Sequence, residues 1–267
     1  MRKAIRALAI LSLVIAVVSW APWKSAKACC GIIPTITEAA ITPVCLGQPV
    51  TISGNINGTP GISPTPTTLS LTLAISVTSP SGAATPVTAT VTPTANPLQY
   101  TYSATFVPTE LGVYTEAKTA VWSAGGFTFS GSLGASFTVN NCCGKVTLGG
   151  WRNAPDGTKN TFGGVVQCKG SAIEGDFEFQ FRQMPANVKM ASPTALGVFG
   201  NSFAFSGPAT VDGGGTFCLF VRGADVAEPG AGADTLEFRL YGGTACGGIA
   251  ASTLGLGAID GGNIQLH

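Results

Sequence analysis

The sequence predicts an all-β fold of two antiparallel β-sandwich domains behind an export leader. Three observations carry this. Apolar and polar residues alternate at period two in one segment after another. Turn-forming residues punctuate those segments, with 36 Gly and 17 Pro among 267 residues. Beyond the N-terminal apolar run, no segment of useful length repeats at the helical period.

The leader is read first. Arg2, Lys3 and Arg6 precede an apolar run from Ala7 to Val18 that only Ser12 interrupts. A basic start followed by about a dozen apolar residues is a secretory signal, too short to span a bilayer. Ala26-Lys27-Ala28 before Cys29 is the preferred cleavage site, which gives a signal peptide of 1–28. Lipid attachment at Cys29 is the alternative, set back by Lys27 and by the distance from the apolar run. The leader holds five of the 14 basic residues and no acid, leaving nine against 13 acidic, a net charge of −4. Such a chain lacks the basic surplus of a nucleic-acid binder.

All eight cysteines follow the cleavage site: Cys29, Cys30, Cys45, Cys142, Cys143, Cys168, Cys218 and Cys246. An even number in an exported chain reads as disulfides. Neighbouring cysteines seldom bond each other, so each doublet is expected to reach two partners. Cys168 and Cys218 are candidates for a link across the second core, and Cys246 for a bond to a doublet. One His, at position 267, removes most triad and zinc chemistry, the cysteines lack the regular pair spacing of a zinc site, and no Cys-x-x-Cys-His motif offers haem attachment. No cofactor is expected.

The Cys-Cys-Gly triplets at 29–31 and 142–144 divide the chain into 29–141 and 142–267. The halves differ in charge. The first carries four charged residues, Glu38, Glu110, Glu116 and Lys118, and the second carries eight basic and ten acidic ones. In the first half Leu69, Leu71, Leu73, Ile75 and Val77 alternate with small polar residues. Val87, Ala89 and Val91 repeat the pattern, as do Tyr100, Tyr102, Ala104 and Phe106. Each reads as a strand with one face in a core. Pro108 to Tyr114, Pro-Thr-Glu-Leu-Gly-Val-Tyr, sits between two such strands and resembles the tyrosine corner of immunoglobulin-like sandwiches. Residues 36–140 as a whole resemble the bacterial Ig-like repeats of surface proteins. That resemblance implies spacing and adhesion and supplies no catalytic residue.

The second half alternates as well, at Phe177-Phe179-Phe181, Phe217-Leu219-Val221 and Leu236-Phe238-Leu240. Each of these strands is expected to set an apolar inner face against a mixed-charge outer one. Gly149-Gly150-Trp151, Thr161-Phe162-Gly163-Gly164, Gly175 to Phe181, Phe203 to Val211, Gly230 to Phe238 and Gly261 to His267 follow in order. In that order they resemble the post-COAP module of bacterial secreted proteins, over residues 145–267. The resemblance implies an extracellular β domain.

Four groups of candidate residues remain. Asp225, Glu228 and Asp234 cluster in a Gly- and Pro-rich loop with oxygen ligands suited to Ca²⁺, but without the spacing of a calcium loop; a polar hairpin loop is the preferred reading. Glu178, Arg182, Arg222, Glu237 and Arg239 make either a ligand-reading face or a solubilising one. Trp122, Trp151, Tyr100, Tyr102 and Tyr114 are core aromatics or sugar platforms, with Trp151 the best exposed candidate. Asp176 and Glu178, two apart on a strand, point the same way and form an acid–base pair or a solvated one. No constellation of nucleophile and base is present. The expectation is a secreted, non-enzymatic structural or adhesive protein at the bacterial cell surface or in its matrix. The alternative is a self-assembling subunit of an extracellular filament or surface layer. Expected partners are copies of itself or surface and matrix polymers, with no nucleic acid and no membrane span.

Overall fold

The computed structural model describes residues 32–60, 69–124, 127–154, 156–182 and 186–267. The leader, Cys29 and Cys30 lie outside the described residues. Within them the regular elements are strands, and no helix is long and apolar enough to cross a membrane.

The first half forms nine strands: β1 (Ile32–Glu38), β2 (Val44–Cys45), β3 (Val50–Pro60), β4 (Leu69–Thr78), β5 (Ala84–Val87), β6 (Ala89–Pro93), β7 (Gln99–Phe106), β8 (Gly112–Ala124) and β9 (Phe127–Asn140). They make a four-stranded sheet, β1-β3-β7-β6, and a five-stranded one, β2-β9-β8-β4-β5. This is the strand order of an immunoglobulin-like sandwich. One pair departs from the antiparallel rule, since β2 runs parallel to β9. Alternation explains the burial: Ile52 and Ile56 of β3, Ile75 and Val77 of β4, and Tyr102 and Ala104 of β7 all face the core. The Tyr114 hydroxyl accepts the backbone N–H of Thr109 (3.1 Å) and of Glu110 (2.8 Å), which fixes the turn into β8. The run Val87-Ala89-Val91 differs from its expected single strand. The chain crosses between sheets at Thr88, so Val87 belongs to β5 and the rest to β6.

The second half forms β10 (Lys145–Asn153), β11 (Lys159–Lys169), β12 (Ala172–Phe181), β13 (Ala186–Met190), β14 (Ala195–Phe199), β15 (Ser202–Val211), β16 (Gly214–Ala224), β17 (Thr235–Gly242), β18 (Ser252–Ala258) and β19 (Gly261–Leu266). One sheet contains them all, in the order β18-β17-β16-β15-β13-β12-β11-β10-β19, with β14 on the first part of β15. Because β15 pairs β14 at one end and β13 at the other, the sheet folds over into two facing layers. Phe177 meets Phe205 edge-on at 5.4 Å and Phe179 meets Phe238 at 4.5 Å between them. At the far margin β17 and β18 slip register between Leu236 and Phe238. The Arg152 guanidinium reaches across from β10 and donates to the carbonyls of Leu236 and Gly255 there.

The mixed-charge outer face expected on β16 and β17 is corrected in part. Cys218, Phe220 and Tyr241 on that face are buried, because the first sandwich packs against it. Period two reports that a strand has two faces, and cannot report that both are covered. Leu46 and Phe220 are fully buried at this junction. Gly47, at φ +74°, lies so close to Ala204 that a side chain there would collide with it. Thr109 Oγ1 donates to the Cys246 carbonyl at 2.6 Å.

Among the described residues there are three disulfides, Cys45–Cys142, Cys143–Cys168 and Cys218–Cys246, with Cα separations of 5.5, 5.4 and 5.2 Å. The doublet Cys142-Cys143 reaches one partner in each half. The expected Cys168–Cys218 link is not made, and Cys246 takes Cys218 rather than a doublet. Cys168 on β11 pairs instead with Cys143, just before β10, and Cys218 on β16 with Cys246, in the loop after β17. Three disulfides are the mark of an extracellular or secreted protein.

Candidate functional site

The outer face of β10, β11, β12 and β13 is open, and its register sets the side chains in rows. Trp151, Thr161, Gln180 and Asn187 form one row, and Gly149, Gly163, Glu178 and Lys189 the next. Thr161, Gly163, Gly164, Asp176, Glu178 and Gln180 line a shallow groove of about 320 Å³. The groove exists because Gly163 has no side chain, and a Cβ there would meet only the Leu148 carbonyl, at 3.8 Å.

The polar lining is ordered. Glu178 Oε1 accepts the amides of Asn187 (2.8 Å) and Gln180 (3.1 Å), and Thr161 Oγ1 donates to Gln180 Oε1 (3.3 Å). The Gln180 and Asn187 amides hold the Glu178 carboxyl below its usual range, with help from Lys189 and against a small burial effect. Glu178 therefore presents a fixed, ionised acceptor. Asp176 is exposed and, among the described residues, has no hydrogen-bond or ion-pair partner. Two acceptors about 6–7 Å apart along one strand, with a Thr hydroxyl and a Gln amide beside them, match the paired hydroxyls of a pyranose better than they match an anion.

Trp151 stands at the rim, as the sequence suggested, but it is not a free platform. Its ring lies over Gly261, where a side chain would overlap the indole. The Lys159 ammonium sits 3.6 Å from the ring centroid and covers a face. The other aromatics are structural. Trp122 and Tyr114 are fully buried, Tyr102 nearly so, and Tyr100 packs edge-on against Trp122 at 5.3 Å.

The other candidates are used elsewhere. Asp234 is buried and accepts the N–H groups of Val226, Ala227 and Ile264. Asp225 accepts Leu266 N–H, and Glu228 accepts the side-chain amides of Asn263 and Gln265. The three carboxylates thus fasten their loop to β19 and do not converge, and among the described residues no three His, Cys, Asp or Glu side chains gather for a metal. The five charged candidates do not form one face. Glu178 and Arg182 lie at β12, whereas Glu237 on β17 is buried between Arg222 (2.5 Å) and Arg239 (2.6 Å). Sequence reasoning passed over one group altogether: Glu38, Glu116 and Lys118 meet inside the first sandwich. The signal was present in β8, where Glu116 and Lys118 share the inward phase of Tyr114, Ala120 and Trp122.

No protein-family model matches the chain, and no curated protein does. Among solved structures it is similar to an uncharacterised Listeria monocytogenes protein in complex with α-D-glucose, β-D-glucose, magnesium and calcium, at 12% identity over 78% of this chain and a TM-score of 0.28. It is also similar to a cycloalternan-forming enzyme of the same organism in complex with a pentasaccharide substrate, at 11% identity over 78% of this chain and the same TM-score. The chain spans 18% of the length of either protein. With an enzyme among the neighbours, the expectation of a non-enzymatic structural or adhesive protein is withdrawn, together with its filament-subunit alternative. The reasoning behind it had a gap: the absence of His and of a nucleophile constellation says nothing against chemistry that needs two carboxyl groups alone. A TM-score of 0.28 assigns no activity in place of the withdrawn one.

Proposed function

We propose that the chain is an exported carbohydrate-recognising protein whose second sandwich binds neutral saccharide in the β11–β12 groove. The observation that carries this reading is the groove itself: a glycine floor flanked by the unpartnered Asp176 and by Glu178, which two amides hold ionised. Flat sugar rings need a floor without side chains, and their hydroxyl pairs need fixed acceptors. With Asp176, Glu178 and Glu174 on one face of β12, the surface favours neutral sugars over uronates. The export leader, a surface-protein Ig-like first half and a post-COAP-like second half belong to the same proposal, and so do surface or matrix polysaccharides as partners.

Calorimetric titration with cello-, malto- and chito-oligosaccharides tests the reading, with an oligogalacturonate as the negative control. Binding of a neutral series is expected. Asp176→Asn and Glu178→Gln should each weaken it about tenfold, since hydrogen bonds to charged groups contribute about 1.5–3 kcal/mol. Released reducing ends are measured in the same samples, because two carboxyls on one face are also the minimum equipment of glycoside chemistry. Absence of binding across the panel, or binding that both variants retain in full, contradicts the proposal.

A further inference from the structure

The first sandwich has four charged residues, and three of them meet in its interior. Lys118 Nζ lies 2.5 Å from Glu116 Oε2 and 2.8 Å from Glu38 Oε1. The side chains of Lys118 and Glu116 are fully buried, and that of Glu38 is 8% exposed. The two contacts are not alike. Lys118 donates a hydrogen bond to Glu116, whereas Glu38 Oε1 lies within reach of Nζ without the geometry of one and has no other partner. Glu38 is on β1 in one sheet and Lys118 on β8 in the other, so the contact bridges the sandwich. Tyr102 is buried beside it, and its hydroxyl donates to the carbonyl of Thr37, next to Glu38.

Two carboxylates and one ammonium would leave a net negative charge out of water, which is unfavourable. Burial, and the neighbouring Glu38, push the Glu116 carboxyl up, against the pull of Lys118. The cluster is therefore neutral when Glu116 holds a proton beside the Lys118–Glu38 pair. In that state it contains a nucleophile, an electrophilic acid and a proton carrier.

We propose that Lys118 and Glu38 condense into an intramolecular amide, with Glu116 as the proton carrier. The ammonium gives a proton to the Glu38 carboxylate beside it, and the freed Nζ attacks Cδ of the resulting Glu38 acid. The Nζ–Cδ bond forms and a Cδ–O bond breaks. Nζ gives up one further proton through Glu116 to the departing hydroxyl, which leaves as water. Charge and atoms balance without an oxidant or a cofactor: an amine and an acid become an amide and water, and Glu116 ends protonated. The water has an exit, because Glu38 borders a cleft of about 500 Å³ lined by Ile36, Thr37, Leu133 and Ser136. The product removes both opposing charges from the core and ties the two sheets covalently.

The test is the mass of the reduced, denatured mature protein. It is expected to fall short of the reduced sequence mass by one water. Trypsin is expected to leave Lys118 uncut, joining the segment before it to residues 119–145, since no other Lys or Arg lies between Lys27 and Lys145. Glu116→Gln, which keeps the volume and removes the proton carrier, and Lys118→Met should both restore the full mass. A wild-type protein at full reduced mass, cleaved after Lys118, overturns the proposal whatever the variants do.

Discussion

The two sandwiches handle charge in opposite ways. The first has four charged side chains; three lie together between its sheets, and the fourth, Glu110, accepts Ser81 at the margin that faces the second. The second has eighteen, most of them in the rows of its outer faces or fastening its loops. Of its two buried acids, Asp234 accepts three backbone N–H groups, and Glu237 is held by two guanidinium groups that reach solvent. A surface of Thr, Ser and Ala keeps the first half compact through strand alternation alone, so its rare charges mark a specific chemical arrangement. In the second half charge is common, and only the pair beside the glycine floor stands apart. Scarcity of charge is informative in one region and geometry in the other.

The comparison can be broken or sharpened experimentally. The largest effect is expected where the halves are tied. Replacing Cys45 and Cys142 by Ser opens a loop of 97 residues and should remove about 4–5 kcal/mol, read from denaturant unfolding, and uncouple the two sandwiches into separate transitions. Next comes Lys118→Met, which removes the amide tie, leaves both carboxyls buried without their nitrogen partner and should lower stability by about 3–5 kcal/mol. The matching change in the second sandwich, Arg222→Met, should cost far less, because Glu237 keeps Arg239 and the site is partly wet. Equal losses at the two sites would erase the contrast. Tyr114→Phe removes the acceptor of two backbone N–H groups and should cost about 1–3 kcal/mol.

The pH dependence should run in opposite directions in the two regions. Glu116 is raised in the folded state by burial, so its protonated form is favoured by folding. That contribution is present at low pH and is lost as pH rises through its folded-state value. Glu178 is lowered by the Gln180 and Asn187 amides, so its contribution is present above the usual carboxylate range and lost as pH falls through the lowered value. Denaturation midpoints measured against pH should show both arms. Glu116→Gln removes the alkaline arm and Glu178→Gln the acid one.

Much of the fold was legible in period-two alternation, because a strand at a core boundary must alternate whatever its neighbours are. What alternation leaves open is the identity of those neighbours. Thr88 divides one apparent strand between two sheets, and the outward Phe220 and Tyr241 meet a second domain, and neither event changes the local pattern. The disulfide partners depend on register between distant strands. At the site, the like orientation of Asp176 and Glu178 was readable two residues apart, and so was the inward phase of Glu116 and Lys118. The glycine floor was not, since Gly163 gains meaning only when its partners Gly149 and Glu178 are placed beside it.

The central claim, that the charges beside Gly163 meet sugar, is tested most directly by Gly163→Val. The new side chain enters open groove, in a strand where Val is favoured over Gly, so unfolding midpoints should hold or rise slightly. Titration of this variant with the neutral oligosaccharide that binds the wild type should show affinity lost by tenfold or more. Undiminished binding by a stably folded Gly163→Val protein would place the sugar elsewhere and contradict the account.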